Sequence, residues 1–218
     1  MRIRLFIFMA IFLVGCQTPS AFVDAGVGYT RFEIDDIGEK VTVDDKSGTT
    51  RIKHADAFMM KARLGTMPIE ALPQFRTGLE LRGGLGGAYD TSKIEDRKDK
   101  AFTDFTVLMI GIGSFASWKQ KFGKNFFIEA GAIANIHSVG VKEYGRKIKD
   151  TYFEEDEEGA GGWSVGGFGK IGIEREETFP TSFSLEFGYE AGKWDFDGDT
   201  GDIDAKSLTF LFSADVEF

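Results

Sequence analysis

The chain has 218 residues, with 35 acidic against 26 basic side chains and a net charge of −9. That balance excludes a binder of the nucleic-acid backbone, and a single cysteine excludes any internal disulfide. Glycine is frequent at 28, phenylalanine at 22, and proline scarce at 4.

Met1, Arg2, Ile3 and Arg4 precede an unbroken apolar run from Leu5 to Val14. A basic start and a short apolar core are the layout of an export signal, and the run is too short for a spanning helix, which needs about 20 residues. The run ends Leu13-Val14-Gly15-Cys16. This resembles the bacterial lipobox, in which cleavage precedes a cysteine that takes diacylglycerol through its thiol. The resemblance implies lipidation at Cys16, with 1–15 as signal peptide, 16–21 as a short linker and 22–218 as the folded domain. Gln17 in place of Asp implies sorting to the outer membrane. Loss of Arg2 and Arg4 takes the charge from −9 to −11. No later apolar run is long enough for a transmembrane helix.

Beyond the leader, apolar residues recur at every second position, the period of a strand. Val23, Ala25, Val27 and Tyr29 predict a first strand. Phe58, Met60, Ala62 and Leu64 predict a second, with Lys61 and Arg63 opposite. Phe75, Thr77, Leu79, Leu81 and Leu85 predict a third, opposite Arg76, Glu80 and Arg82. The fourth covers 102–116, where Val107-Leu108-Met109-Ile110 blurs the facing. Phe126, Ile128, Ala130, Ala132, Ala134 and Ile136 predict a fifth, opposite Glu129, Asn135 and His137. Val165, Gly167, Gly169, Ile171 and Ile173 predict a sixth, and Phe183, Leu185, Phe187 and Tyr189 a seventh, opposite Glu186 and Glu190. Leu208, Phe210, Phe212, Ala214, Val216 and Phe218 predict the eighth. Eight is an even count, as bacterial membrane barrels require, and each strand is expected to cover the 9–11 residues that cross a bilayer at a tilt.

The links 35–53, 90–101, 142–162 and 192–206 are long and charged, whereas 66–74, 117–124 and 174–181 are shorter. Strict alternation of long and short links fits extracellular loops and periplasmic turns. All four prolines (Pro19, Pro68, Pro73 and Pro180) fall outside the strands, as a closed ladder needs. Trp163 and Trp194, at loop ends, and Trp118, at a turn end, are expected at girdle positions. With apolar faces outward, Arg76, Arg82 and Lys170 are expected to pair in the lumen with Glu80, Glu129, Glu186 and Glu190.

The terminal strand, closing on Phe218, resembles the assembly signal of bacterial outer-membrane barrels. The whole pattern resembles the small barrels of the OmpA/OmpX type. That resemblance implies an all-β, eight-stranded antiparallel up-and-down transmembrane barrel in the outer membrane. It further implies a monomer that meets the barrel-assembly machinery, membrane lipid and lipopolysaccharide.

The lumen of eight strands is just wide enough for side chains. A general porin is therefore not expected, and glycines 83, 84, 86, 87, 166, 167 and 169 are read as aids to curvature and close packing. Some lipid A deacylases share this barrel with a catalytic His and Ser two positions apart. Here His137 and Ser138 are adjacent and alternate to opposite faces, so no catalytic residues are assigned. His54 is read as a loop-base residue. The last loop carries Asp195, Asp197, Asp199 and Asp202, an incomplete likeness to a calcium loop. With Glu154, Glu155, Asp156, Glu157 and Glu158 it suits loose divalent-cation bridging better than a built metal site, and no cofactor is expected. Two other readings stay open: a lipid-modifying enzyme on the same fold, and a soluble, lipid-anchored, lipocalin-like barrel with its apolar faces inside.

Overall fold

The computed structural model of the protein describes residues 20–43, 46–69, 71–93, 100–145, 156–175, 181–196 and 201–218. Cys16 and the leader lie outside these residues. The strands are β1 (Ala21–Val43), β2 (Lys46–Thr66), β3 (Phe75–Lys93), β4 (Lys100–Phe122), β5 (Phe126–Gly145), β6 (Asp156–Arg175), β7 (Thr181–Phe196) and β8 (Gly201–Glu217). Each pairs antiparallel with its sequence neighbours, and β8 returns to β1, so the sheet closes into a barrel. β1 begins at Ala21, one residue before the expected domain boundary.

The eight expected strands are all present, but they are longer than a membrane crossing requires: 23 residues in β1 and β4, and 16 in the shortest, β7. Most of the residues read as long loops are continuing hairpin. β1 and β2 stay paired to Val43↔Lys46, β3 and β4 to Lys93↔Lys100, β5 and β6 to Glu143↔Asp156, and β7 and β8 to Phe196↔Gly201. In those stretches the sequence carries polar residues at both parities, so the apolar alternation that marks a strand disappears. The 117–124 link is likewise mostly strand, because β4 runs to Phe122 and turns at 123–125. Gly123 adopts φ 66° there, a conformation that glycine reaches without a Cβ penalty. Pro68 and Pro73 lie in the link between β2 and β3, where no ladder N–H is needed.

Both described ends of the chain meet at one rim. Ala21 N donates to Phe218 O at 3.3 Å, and Phe218 N donates to Ala21 O at 2.8 Å. This terminal rim carries the short turns, and the hairpin rim carries the strand extensions.

Parity holds around the barrel. Phe58, Met60 and Leu64 on β2, Leu79, Leu81 and Leu85 on β3, and Phe210 and Phe212 on β8 face outward and are exposed. In the ambiguous run of β4, Leu108 and Ile110 face outward while Val107 and Met109 are buried inside. A closed sheet pairs its backbone groups and leaves no edge, which is the condition for strands to stand in hydrocarbon. The belt argues against the lipocalin-like arrangement, which needs these apolar faces inside.

Candidate functional site

The lumen has two tiers. The tier toward the terminal rim is charged. Asp24, Lys61, Arg63, Arg76, Glu80, Lys119, Glu129, Lys170, Glu174, Glu186 and Asp215 are all buried there. Arg63 is the most connected. Its Nε donates to Glu80 at 2.6 Å, its two terminal nitrogens donate to Glu186 at 3.0 Å each, and Asp24 lies at 3.6 Å. Its guanidinium also lies over the Phe168 ring at 3.9 Å. Lys170 donates to Asp24 at 2.6 Å, and Lys61 bonds Glu186 and reaches Asp24 at 3.3 Å.

The expected pairs form. Arg82 bonds Glu80 and donates to Glu190 at 2.6 Å, Arg76 donates to Glu129 at 3.1 Å, and Lys170 approaches Glu186 at 3.6 Å. The sequence reading did not name Asp24, Lys61, Arg63, Lys119, Glu174 or Asp215 as members of the pairing set. Arg76 bonds Asp215, and Lys119 donates to Glu217 at 2.9 Å and lies 2.7 Å from Glu174. Hydroxyl and amide groups complete the network. Ser117 donates to Glu129 at 2.6 Å, while Asn135 and Ser164 donate to Glu190 at 2.8 and 2.7 Å. Each charged member has an opposite charge within 4 Å, as burial demands, although Asp24 Oδ1, Arg76 Nε and Asn135 Oδ1 have no hydrogen-bond partner among the described residues.

The tier toward the hairpin rim is apolar rather than charged, so the charge pairs expected in the lumen fill only part of it. Phe32, Met59, Val107, Met109, Val139, Trp194, Ile203 and Leu211 form a buried cluster. Trp194 is only 2% exposed and packs at 5.5 Å, ring to ring, on Phe32. It is therefore a plug residue and not a girdle residue. Its even number on β7 opposes the outward Phe183, Leu185, Phe187 and Tyr189, and that parity was available in the sequence. Trp163 and Trp118 do face outward, toward the hairpin and terminal ends of the belt respectively.

Two small cavities of about 20 Å³ each lie in the lumen, one on either side of the Arg82–Glu190 pair, whose residues line both. That volume holds about one water molecule. The inward glycines leave no wider gap: a Cβ on Gly84 would strike the Met59 sulfur, and one on Gly166 the Tyr189 carbonyl. The close-packing reading of these glycines fits, and the lumen among the described residues is filled.

His137 faces the lumen against Trp194, with ring centroids 6.3 Å apart, and Ser138 faces outward. The wall separates them, so they cannot act as base and nucleophile on one substrate. His54 is exposed, opposite Glu33 at the hairpin end of the β1–β2 wall. Asp195 is exposed and stands opposite Asp202 in the ladder. Asp197 and Asp199, like Glu154 and Glu155, lie outside the described residues, and no group of metal-ligating side chains occurs among those described. Phe218 is exposed at the terminal rim, where its backbone bonds to Ala21 close the barrel.

The outer wall changes character at the hairpin edge of the belt. Arg31 on β1 faces Asp56 on β2, with Nε donating at 2.8 Å and a terminal nitrogen at 3.1 Å, and the Tyr29 hydroxyl bonds the same carboxylate. The hydrogen bond from Arg31 lowers the Asp56 carboxyl to about 2. On β7 and β8, Lys193 lies 3.8 Å from Asp204. Lys206 and Glu33 are exposed and directly opposite in the β8–β1 ladder.

No protein-family model matches the chain, and no curated protein matches it in sequence. Among solved structures, Neisserial surface protein A superposes with a TM-score of 0.50 at 12% identity, covering 91% of this chain and 97% of its own. The outer membrane protein OprG from Pseudomonas aeruginosa gives 0.44 at 13% identity, covering 92% and 96%. The Escherichia coli outer membrane protease OmpT gives 0.46 at 10%, covering 92% and 98%. The chain is an all-β, closed, eight-stranded antiparallel barrel, the architecture it shares with Neisserial surface protein A.

Proposed function

We propose that the protein is an integral outer-membrane barrel with a structural or surface-interaction role, and that it carries no catalytic centre. The observation that carries this reading is the inverted polarity of the barrel: apolar side chains outside, paired charges and an apolar plug inside. Such a wall needs hydrocarbon, and such a lumen passes no solute. The long hairpins, with both described ends at the opposite rim, favour an extracellular placement of the hairpin rim. Contacts would then be made by the acidic hairpins, aided by loosely held divalent cations. Lipidation at Cys16 belongs to the same proposal and would assist sorting.

The test is gel mobility of the envelope-fractionated protein, boiled against unboiled in SDS. A heat-dependent shift in the outer-membrane fraction supports the reading. A protein that shows no shift, and is released from membranes by Cys16→Ala, is a soluble anchored domain instead. Planar-bilayer recordings of the refolded barrel should register no steady conductance; a stable open level would overturn the sealed-lumen reading.

A further inference from the structure

The chain enters the barrel beside one particular turn. Met67 N donates to Ser20 O at 3.0 Å, one step beyond Ala21↔Thr66, the last paired row of β1 and β2 at the terminal rim. The entering segment is therefore held to the start of the link between β2 and β3. Residues 16–19 stand between that bond and the remainder of the leader, and four residues reach at most about 14 Å. The β4–β5 turn lies three to four strands from β1, roughly 14–19 Å around the wall at ordinary strand spacing.

The β2–β3 link is apolar at the point the entering chain reaches. Ile69 and Leu72 are 43% and 41% exposed, between Pro68 and Pro73. Backbone bonds hold the turn: Leu72 N donates to Ile69 O, and Phe75 N to Leu72 O, each at 2.9 Å. Above it, Val23, Leu64 and Leu79 stand in one register row across β1, β2 and β3, and all three are exposed. The tip of the β4–β5 turn is instead Gly123, Lys124 and Asn125. Aliphatic side chains just outside the belt are poorly matched to water and well matched to acyl chains.

We propose that the β2–β3 link is the seat of the acylated N-terminus. Residues 16–19 lie along it, and the lipid on Cys16 enters the inner leaflet against Ile69, Leu72 and the Val23–Leu64–Leu79 row. This inference rests on the outer-membrane and lipidation readings above. The short reach of the segment and its bond to Met67 select this turn over the β4–β5 turn. The anchor then does something that attachment alone does not give an integral barrel. It pins the chain ahead of β1 against β2, next to the seam where Ala21 and Phe218 close the ring.

The test uses the full-length protein made with its own leader. Intact mass of the envelope protein is read first. A mature chain that begins at Cys16 and carries acyl groups supports the lipidation reading, and a chain without them overturns that reading and this inference together. Folding of every variant is checked by the gel shift, so failure of the barrel is seen separately. In the acylated barrel, a benzophenone side chain in place of Leu72 should crosslink to residues 16–19 on irradiation, and one in place of Lys124 should not. A chain released by an ordinary leader to begin at Gln17, without lipid, should lose most of the Leu72 crosslink. Ile69→Ser, with the probe kept at Leu72, should lower the crosslinked fraction at least about fourfold, the equivalent of one buried methylene. Docking is overturned, with lipidation intact, if the Leu72 and Lys124 probes capture the segment equally, or if the Leu72 crosslink is the same with and without lipid.

Discussion

Replacing Arg63 with methionine isolates what the charged tier contributes. The substitution keeps an unbranched side chain over Phe168 but removes three charge-assisted hydrogen bonds, at 2.6, 3.0 and 3.0 Å. Breaking a buried ion pair from one side typically costs about 3–5 kcal/mol. The lower end applies here, because the carboxylates left behind keep other cations: Glu80 keeps Arg82, and Glu186 keeps Lys61 and Lys170. Arg63→Met should therefore destabilise the barrel by about 3 kcal/mol. Adding Glu80→Gln removes one surplus negative charge while leaving Arg82 its bond to Glu190. The double variant should regain about half of the loss; since Glu80→Gln alone carries a cost of its own, the coupling is at least about 1.5 kcal/mol, well above the ~0.5 kcal/mol scatter of independent sites. Urea titration of the barrel refolded in lipid vesicles, followed by tryptophan fluorescence, measures all three variants. Additive losses, with coupling under about 0.5 kcal/mol, would refute the view that the tier is a mutually compensated charge set.

Three further outcomes follow from the geometry. Trp194→Ala should cost about 3–5 kcal/mol in the same titration, because the plug cannot collapse around so large a void; Trp194→Phe should recover most of it, and a neutral alanine variant would contradict burial of the ring. Met60→Arg, in the middle of the outward belt, should cost about 2–4 kcal/mol in vesicles, whereas Asp204→Arg, beyond the belt edge, should cost little; equal costs would place the belt elsewhere. The Asp56 carboxyl should titrate near 2 by carbon NMR, because the bond from Arg31 favours its charged form. Its folded value is depressed, so its contribution is complete above the ordinary value of 3.8 and is lost as pH falls through about 2. A midpoint at or above 3.8 would show that the rim pair does not form.

The membrane-facing half of the structure was legible because one face of each strand had to be apolar. Period-two alternation registers only that contrast, so it placed Met60 and Leu81 outside and Arg82 and Glu129 inside without error. It failed where the sequence carries polar residues on both faces of a strand, and the strand extensions beyond Ile34 and Asp56 therefore read as loop. It also failed where both faces are apolar: Val107 and Met109 enter the plug while Leu108 and Ile110 enter the belt, and a run of four apolar residues cannot say which is which. Charge pairing was partly legible. That Arg76, Arg82 and Lys170 meet the carboxylates of Glu80, Glu129, Glu186 and Glu190 in the lumen follows from type and facing alone. The position of Arg63 as the hub does not, because its partners come from β1, β3 and β7 and depend on how the closed sheet is staggered.

Closure of β8 on β1 gives the chain the topology of a nicked ring. Every other ladder joins neighbours in sequence and can form as a hairpin, but this one joins residues nearly a whole chain apart, so its loop-closure entropy must be met in one step. The seam should be the last to form and the first to open. Because the two described ends already touch, a short linker from Phe218 to Ala21, with new termini cut between β3 and β4, would move that seam to a different wall while leaving the same set of cross-strand partners. The order of assembly would change, and the finished barrel would not.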